Sequence, residues 1–451
     1  MLEPLYSADE MRAAEAGHDV DQLMARAGRA VAEEAMRRFP QARRFVAVCG
    51  GGANGGDGRI AVEVLRAAGR DAEASDDVSG ADVIVDALFG TGFHGEPRED
   101  AARKIGAINA SSAPVVAVDL PSGLNASTGE VEGACVDAEL TVTMHGRKVG
   151  VEVAPGRFHA GKVVVADIGL EPGETEHRVV TPAILGEVPR RRADQNKYSA
   201  GTVLVVGGSR GLTGAPSLSA EAAFRADAGY VAVAAPESTL PVFEQRLLEA
   251  VKLPCPEDDG KISPRAIEPI VEFAGKAGAV ALGPGLGRGP GPKEVVARLL
   301  AELEVPVVVD ADALFELEPF QRSAPTVLTP HEGELGRLLG EESGWVAAHR
   351  LEAARRGAEK FSCVCLLKGA DTLIAEPGQG VWVSALGTPA LATAGSGDVL
   401  TGVIAAFLSK GLEARVAAAG AAAACQLASR EISQRGAVAG DVIQALPAVL
   451  D

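Results

Sequence analysis

Thr393-Ala394-Gly395-Ser396-Gly397-Asp398-Val399-Leu400 joins a glycine-rich turn to the start of an apolar-periodic helix. A helix N-terminus presents unpaired N–H groups and the positive end of the macrodipole, and glycine lets both approach an anion. Taken alone, an aspartate in that first turn does no more than complement the dipole. With a phosphoryl group bound in the turn, the Asp398 carboxylate is placed to take the proton of an attacking hydroxyl. The companions of this weak motif carry the weight. Gly283-Pro284-Gly285-Leu286-Gly287 follows one apolar run, and Asp310-Ala311-Asp312 ends a second with two carboxylates, expected on one side of an extended chain or as caps. Thr329-Pro330-His331-Glu332-Gly333-Glu334 follows a third, and Lys368-Gly369-Ala370-Asp371-Thr372 closes a fourth. Ligands of open α/β sheets bind outside the carboxyl ends of the strands, so four polar clusters at strand ends predict one crevice.

A second set lies nearer the N-terminus. The run Cys49-Gly50-Gly51-Gly52-Ala53-Asn54-Gly55-Gly56-Asp57-Gly58 stands between an apolar run at 44–49 and a helix pattern through Ile60, Ala61, Val64 and Leu65. So many glycines cost chain entropy and would serve poorly as a mere turn, which favours phosphate binding. No strand is predicted about 20 residues on to carry a ribose-binding acid, so ordinary dinucleotide binding is the weaker version. Asp86-Ala87-Leu88-Phe89-Gly90-Thr91-Gly92 and Asp119-Leu120-Pro121-Ser122-Gly123 repeat a carboxylate at a strand end followed by glycine. Asn54, Asp86 and Ser122 supply three oxygens suited to a hard monovalent cation, whereas magnesium usually demands more carboxylate.

These sets need rigid elements beneath them, and the chain supplies two blocks of alternating strand and helix signals. Strands are predicted at 44–49, 82–87, 115–119, 138–144 and 162–166, then at 201–206, 230–235, 279–282, 305–310, 326–328 and 362–368, and helices at 11–39, 216–228, 332–339, 344–358, 398–408 and 414–430. Short apolar runs alternating with helices give an α/β class with mostly parallel sheets covered on both faces. The Pro- and charge-rich stretch 171–196 marks a boundary near 178, giving domains 1–177 and 178–451. A net charge of −18 over 451 residues argues against a nucleic-acid partner. Six scattered cysteines without a CxxC pair read as reduced thiols. Residues 1–21 have no apolar signal core, and no apolar run reaches membrane length, the Ala-rich 415–428 fitting a packed helix. A cytoplasmic protein without a membrane partner is expected.

The strings Lys197-Tyr198-Ser199-Ala200-Gly201, Val205–Ser209 (Val-Val-Gly-Gly-Ser), Thr213-Gly214-Ala215-Pro216, 283–287, 310–314, 329–334, 368–372 and Thr388-Pro389 leading to 395–398 resemble the ribokinase-like NAD(P)H-hydrate dehydratases over about 180–451. The strings at 49–58, 86–92 and 118–123 resemble the NAD(P)H-hydrate epimerase domain over about 1–175. The resemblance implies two three-layer sandwiches, one Rossmann-like and one ribokinase-like. It implies an enzyme that epimerises the R and S hydrates NADHX and NADPHX and dehydrates the S form with ADP or ATP. In the dehydratase it implies Asp398 as base, hydrate contacts from Ala215, Gly285, His331 and Asp398, and nucleotide contacts from Lys368, Gly369, Ala370, Asp371, Thr372 and Gly397. In the epimerase it implies hydrate contacts from Ala53, Asn54, Gly55, Gly56, Asp57, Gly90, Thr91, Gly92, Phe93, His94, Gly95, Glu96 and Asp119. It makes Asp119 the proton-transfer residue and gives potassium to Asn54, Asp86 and Ser122. Magnesium is expected to offset phosphate charge, without assigned ligands, and a homo-oligomer is expected. Two positions depart from the family: Thr388 replaces an Asn before Pro389, and Ala53 replaces the first Asn of Asn-Asn-Gly-Gly-Asp. The alternative is a ribokinase-like small-molecule kinase with a non-catalytic N-terminal binding domain.

Overall fold

A computed structural model describes residues 2–451. The chain folds as two compact units, one spanning Pro4–Arg178 and the other holding Val179–Val346 and Glu352–Asp451.

In the first unit, β1 (Arg44–Cys49), β2 (Asp71–Ala74), β3 (Val83–Ala87), β4 (Val115–Val118), β5 (Leu140–Met144) and β6 (Lys162–Ala166) form one parallel sheet in the order β2-β1-β3-β4-β5-β6. The central strands are buried on both faces, as β-branched continuous runs require. One face packs the apolar stripes of α2 (Val20–Arg38) and α3 (Ala53–Ala67) through Val31, Ala32, Ala61 and Leu65; the other packs Ile105 and Ile108 of α4 (Glu99–Ala110). The single helix predicted over 11–39 is instead two. A Ser7–Glu10 capping box opens α1 (Ala8–Glu15), Gly17 leaves it at φ 84°, and the Asp19 carboxylate restarts the chain as α2 by accepting from the Asp21 and Gln22 N–H groups. Strand β2, Asp-Ala-Glu-Ala, went unpredicted because its residues are poor strand formers; pairing with β1, burial of Ala72 and the Arg66 hydrogen bond to the Ala72 carbonyl hold it.

In the second unit, β7 (Thr202–Val206), β8 (Tyr230–Pro236), β9 (Val251–Cys255), β10 (Ala279–Leu282), β11 (Val307–Val309), β12 (Thr326–Leu328), β13 (Val364–Leu367), β14 (Thr372–Ala375) and β15 (Trp382–Ser384) run in the order β9-β8-β7-β10-β11-β12-β13-β14-β15. They are parallel from β9 to β13 and antiparallel thereafter. One face carries α5 (Gly214–Arg225), α8 (Ser396–Ser409) and α9 (Ala414–Ala428); the other carries α6 (Pro290–Glu302), with α7 (Glu332–Leu339) following β12. Residues Val399 to Leu408 of α8 are all buried, so this helix is apolar all round. It lies so close to α5 that a Cβ on Gly402 would sit 2.1 Å from the Ser219 carbonyl oxygen. The Ala-rich α9 is a packed helix, and no helix among the described residues is long and apolar enough to cross a membrane.

Both sheets reverse direction of growth once. The chain leaves β1 toward β2 and returns on the other side at β3; it leaves β7 toward β8 and β9 and returns at β10. Such switch points open a crevice at the carboxyl ends of the flanking strands. The glycine-rich segments stand there in both units.

Two candidate active sites at the sheet switch points

The first site is a cleft of about 620 Å³. The start of α3 contributes Ala53, Asn54 and Asp57; the loop after β3 contributes Gly90, Thr91, Gly92, Phe93 and His94; Asp119 enters from the end of β4. Val20, Leu23, Met24 and Ala27 of α2 give one wall an apolar lining. Four predicted contacts lie outside the lining: Gly55, Gly56, Gly95 and Glu96. Gly55 serves packing, since a Cβ there would fall 2.0 Å from the Gly50 carbonyl oxygen. Gly51 and Gly52, by contrast, line the cleft with open space beside them.

Asp119 occupies the left-handed region at φ 66°, which a non-glycine residue adopts only under surrounding constraint. That constraint is a ring of donors on one carboxylate oxygen: Lys148 Nζ at 2.6 Å, the Met144 N–H at 3.1 Å and Thr143 Oγ1 at 3.2 Å. The Lys148 ammonium is fully buried and also donates to the Met144 carbonyl, 2.6 Å away. Asp57 faces the opposite circumstance. It is buried, its Oδ1 has no hydrogen-bond partner, and burial pushes its carboxyl up to about 8, helped by the charges of Asp119 and Glu15. Glu15 lines the cleft too, its carboxyl raised by burial and by Asp119, against the pull of Lys148. Sequence reasoning missed Glu15 and Lys148. One ends a helix and the other follows a short turn, and neither carries a motif.

Asn54, Asp86 and Ser122 do come together, around the backbone of Phe89. Asn54 Nδ2 donates to the Phe89 carbonyl (2.8 Å), and Ser122 Oγ accepts from the Phe89 N–H (2.9 Å) while donating to Asp86 Oδ1 (2.6 Å). Asp86 also accepts from the Ser122 N–H at 2.8 Å. Desolvation lifts its wholly buried carboxyl to about 6, against these hydrogen bonds. No cationic side chain pairs with it among the described residues.

The second site gathers the ends of five strands. Gly207 and Gly208 follow β7, Gly283 to Gly287 follow β10, Asp310 follows β11, Thr329 to His331 follow β12, and Lys368 follows β13. Gly285 adopts φ 60° against the Leu212 carbonyl oxygen, and its own carbonyl accepts from Ser209 Oγ at 3.0 Å. Gly395 turns the chain into α8 at φ 90°, putting Gly397 and Asp398 in its first turn. The Asp398 carbonyl accepts from Ser219 Oγ (2.8 Å) on α5, which fixes that turn. Beneath it, Asp310 is bound on both oxygens, by Lys368 Nζ at 2.9 Å and Thr401 Oγ1 at 2.7 Å. Lys368 Nζ also lies 3.7 Å from Glu334. Burial would depress this ammonium, but Asp310, Glu334 and Asp398 raise it on balance. Burial, and then Asp310, push the Asp398 carboxyl up to about 7, with Lys368 opposing.

The two carboxylates expected on one side of an extended chain diverge. The strand stops at Val309, Ala311 turns at φ 52° into a 3₁₀ turn (Ala311–Leu314), and Asp312 goes to the Gly287 N–H (2.9 Å) and Arg288 (3.0 Å). His331 caps α7: its Nδ1 accepts from the Gly333 N–H at 3.0 Å, so the ring proton sits on the exposed Nε2. Ala215 is the second residue of α5. Gly369 and Ala370 are exposed between β13 and β14, whereas Asp371 and Thr372 are buried, Thr372 Oγ1 accepting from Gln426 at 3.3 Å. Thr388 bonds Ser429 through its N–H and Oγ1, each at 3.1 Å.

Two switch-point sites, each holding a carboxyl with raised proton affinity beside glycine turns, fit an α/β enzyme with a separate site in each unit. The family described as NAD(P)H-hydrate dehydratase matches residues 203–448, and the YjeF-related protein N-terminus family matches 20–75 and 70–150. A bifunctional NAD(P)H-hydrate repair enzyme from Moorella thermoacetica is 39% identical over 95% of this chain and 92% of its own length. The solved ADP/ATP-dependent NAD(P)H-hydrate dehydratase of Bacillus subtilis, co-crystallised with ATP and Mg²⁺, is 30% identical with a TM-score of 0.52, covering 60% of this chain and 96% of that one. A ribokinase-like protein of Enterococcus faecalis shares the fold at 24% identity and TM-score 0.53, over 62% and 97%. The chain belongs to the bifunctional NAD(P)H-hydrate repair enzymes, an epimerase and a ribokinase-like dehydratase in one polypeptide.

Proposed function

We propose that residues 1–177 interconvert the R and S hydrates of NADH and NADPH. Residues 178–451 then dehydrate the S hydrate with ADP or ATP, releasing AMP or ADP and phosphate. The observation that carries the reading is the Asp398–Lys368–Asp310 arrangement at the first turn of α8, a carboxyl titrating near neutrality beside a lysine. Hydration puts a hydroxyl on the ring carbon next to the nitrogen. Asp398, once ionised, accepts that hydroxyl's proton as the phosphoryl group is transferred to its oxygen. Loss of phosphate together with a proton from the neighbouring carbon restores the ring double bond.

Lys368 and the first-turn N–H groups at Gly397 favour the negative charge of the nucleotide phosphates, with Gly369, Ala370, Asp371 and Thr372 alongside. Ala215, Gly285 and the Nε2–H of His331 meet the hydrate. Magnesium fits as an ion carried by the nucleotide phosphates, in keeping with the ATP and Mg²⁺ of the Bacillus subtilis relative. In the epimerase, Ala53 to Asp57, Gly90 to Glu96 and Asp119 hold the hydrate, with Asp119 moving the proton. The oxygens of Asn54, Asp86 and Ser122 fit potassium, which supplies the counter-charge that the buried Asp86 lacks. We place the enzyme in the cytoplasm as a homo-oligomer, which light scattering on the purified chain tests. The deciding assay gives the whole chain mixed hydrates with ADP and ATP in parallel. Reduced cofactor should form from both epimers; a stable phosphorylated product instead would overturn the reading.

A further inference from the structure

Asp119 is bound by a buried ammonium and two further donors, whereas Asp57, in the same cleft, has an unpartnered buried oxygen and no cation. Opposite environments acting on two carboxyls of one site separate an acid from a base. From this juxtaposition we infer that Asp57 is a second catalytic residue of the epimerase, the general acid that protonates the departing hydroxyl of the hydrate. The inference rests on the epimerase reading of the first site and deepens it.

The hydrate carries its hydroxyl on the carbon bonded to the ring nitrogen. As Asp57 delivers its proton, the C–O bond breaks and the oxygen leaves as water. The nitrogen lone pair forms the C=N bond of an iminium ion. Water then adds to the other face, its new C–O bond returning the electron pair to nitrogen and its proton passing to Asp119. Solvent takes that proton and re-protonates Asp57 before the next turnover, so no other reactant is needed. The apolar wall of Leu23, Met24 and Ala27 keeps the Asp57 proton in place, since it disfavours the carboxylate. The groups facing Asp57 are Glu15 from the end of α1, Asp119 with Lys148 locked upon it, and His94 from the loop after β3; α2 contributes none that titrates.

The test uses the full chain without nucleotide, so that the dehydratase is silent, and follows R-to-S conversion by chromatographic separation of the epimers. Asp57→Asn should lower kcat by about 10²-fold or more with KM little changed. Asp57→Glu, which keeps an acid, should recover most of the rate. The wild-type rate should fall as pH rises through about 8, and Asp57→Asn should lack that limb. Wild-type kcat in Asp57→Asn, a loss confined to KM, or a wild-type profile without the limb would each overturn the inference. A wild-type chain with no conversion above the uncatalysed rate would instead overturn the epimerase reading itself.

Discussion

The two sites occupy the same place in related architectures but handle charge in opposite ways. In the first, the lysine is sunk beneath the site: Lys148 is fully buried, spends its protons on Asp119, Thr143 and the Met144 carbonyl, and does not line the cleft. What lines that cleft is carboxyl, glycine backbone and apolar side chains. In the second, Lys368 remains partly exposed amid Asp310, Glu334 and Asp398. The difference matches the chemistry. Inverting a carbinol carbon needs proton donors and acceptors around a neutral centre, whereas transferring a phosphoryl group needs a cation beside developing negative charge. Each site holds a carboxyl with a raised proton affinity, but Asp57 is raised to hold its proton and Asp398 is raised only to near neutrality.

The sharpest way to break this comparison is to remove one carboxylate at a time. Asp398→Asn should cut dehydration of pure S hydrate by about 10³- to 10⁴-fold while nucleotide binding, measured by calorimetry, persists. Asp119→Asn should cut epimerisation by about 10²- to 10³-fold and leave dehydration of the S hydrate at its wild-type rate. The amide is chosen because it leaves an oxygen for Lys148, which alanine would strand. Parallel loss of both activities in either variant would show that the sites are not independent.

Lys368→Met tests the second region's pairing. Asp310 is 1% exposed, and without Lys368 its buried charge keeps only Thr401 as a side-chain partner. Breaking such a pair destabilises by about 3 kcal/mol, so the urea midpoint of the second unit should fall; an unchanged midpoint would make the pair dispensable to the fold. The pH dependence should also separate the regions. Asp398 has a raised pKa, so its base form is lost as pH falls through about 7, and dehydration should climb up to tenfold per pH unit below that value and level off above it. Dehydration that instead declines on the alkaline side of 7, as expected for an acid, would remove Asp398 from the base role.

How legible these regions were differs for physical reasons. Strand ends and glycine turns were readable because period and backbone permissiveness are local properties, and Asn54, Asp86 and Ser122 do converge. The divergence of Asp310 and Asp312 was not readable, because a positive φ at Ala311 left no mark in the sequence. Nor were Lys148 and Glu15, which reach the first site through β5 packing and the placement of α1, both non-local. The glycine run at 50–58 was read as phosphate-binding throughout, yet Gly55 is fixed by a 2.0 Å approach to the Gly50 carbonyl oxygen, a packing demand.

The smallest predicted effect concerns the two departures from the family pattern. Ala53 is the first residue of α3, exposed, and meets the cleft with a methyl group while the backbone N–H groups beside it are unaltered. If the hydrate is held there through backbone, Ala53→Asn changes the epimerase by no more than about 0.5 kcal/mol, roughly twofold in kcat/KM. Thr388 should be as tolerant: its hydroxyl is occupied by Ser429 and the Ala390 N–H, a capping duty that Asn performs equally well. A gain in epimerisation well beyond twofold in Ala53→Asn would mean that the family's amide touches the hydrate directly, and that this chain's first cleft works below the capacity its architecture allows.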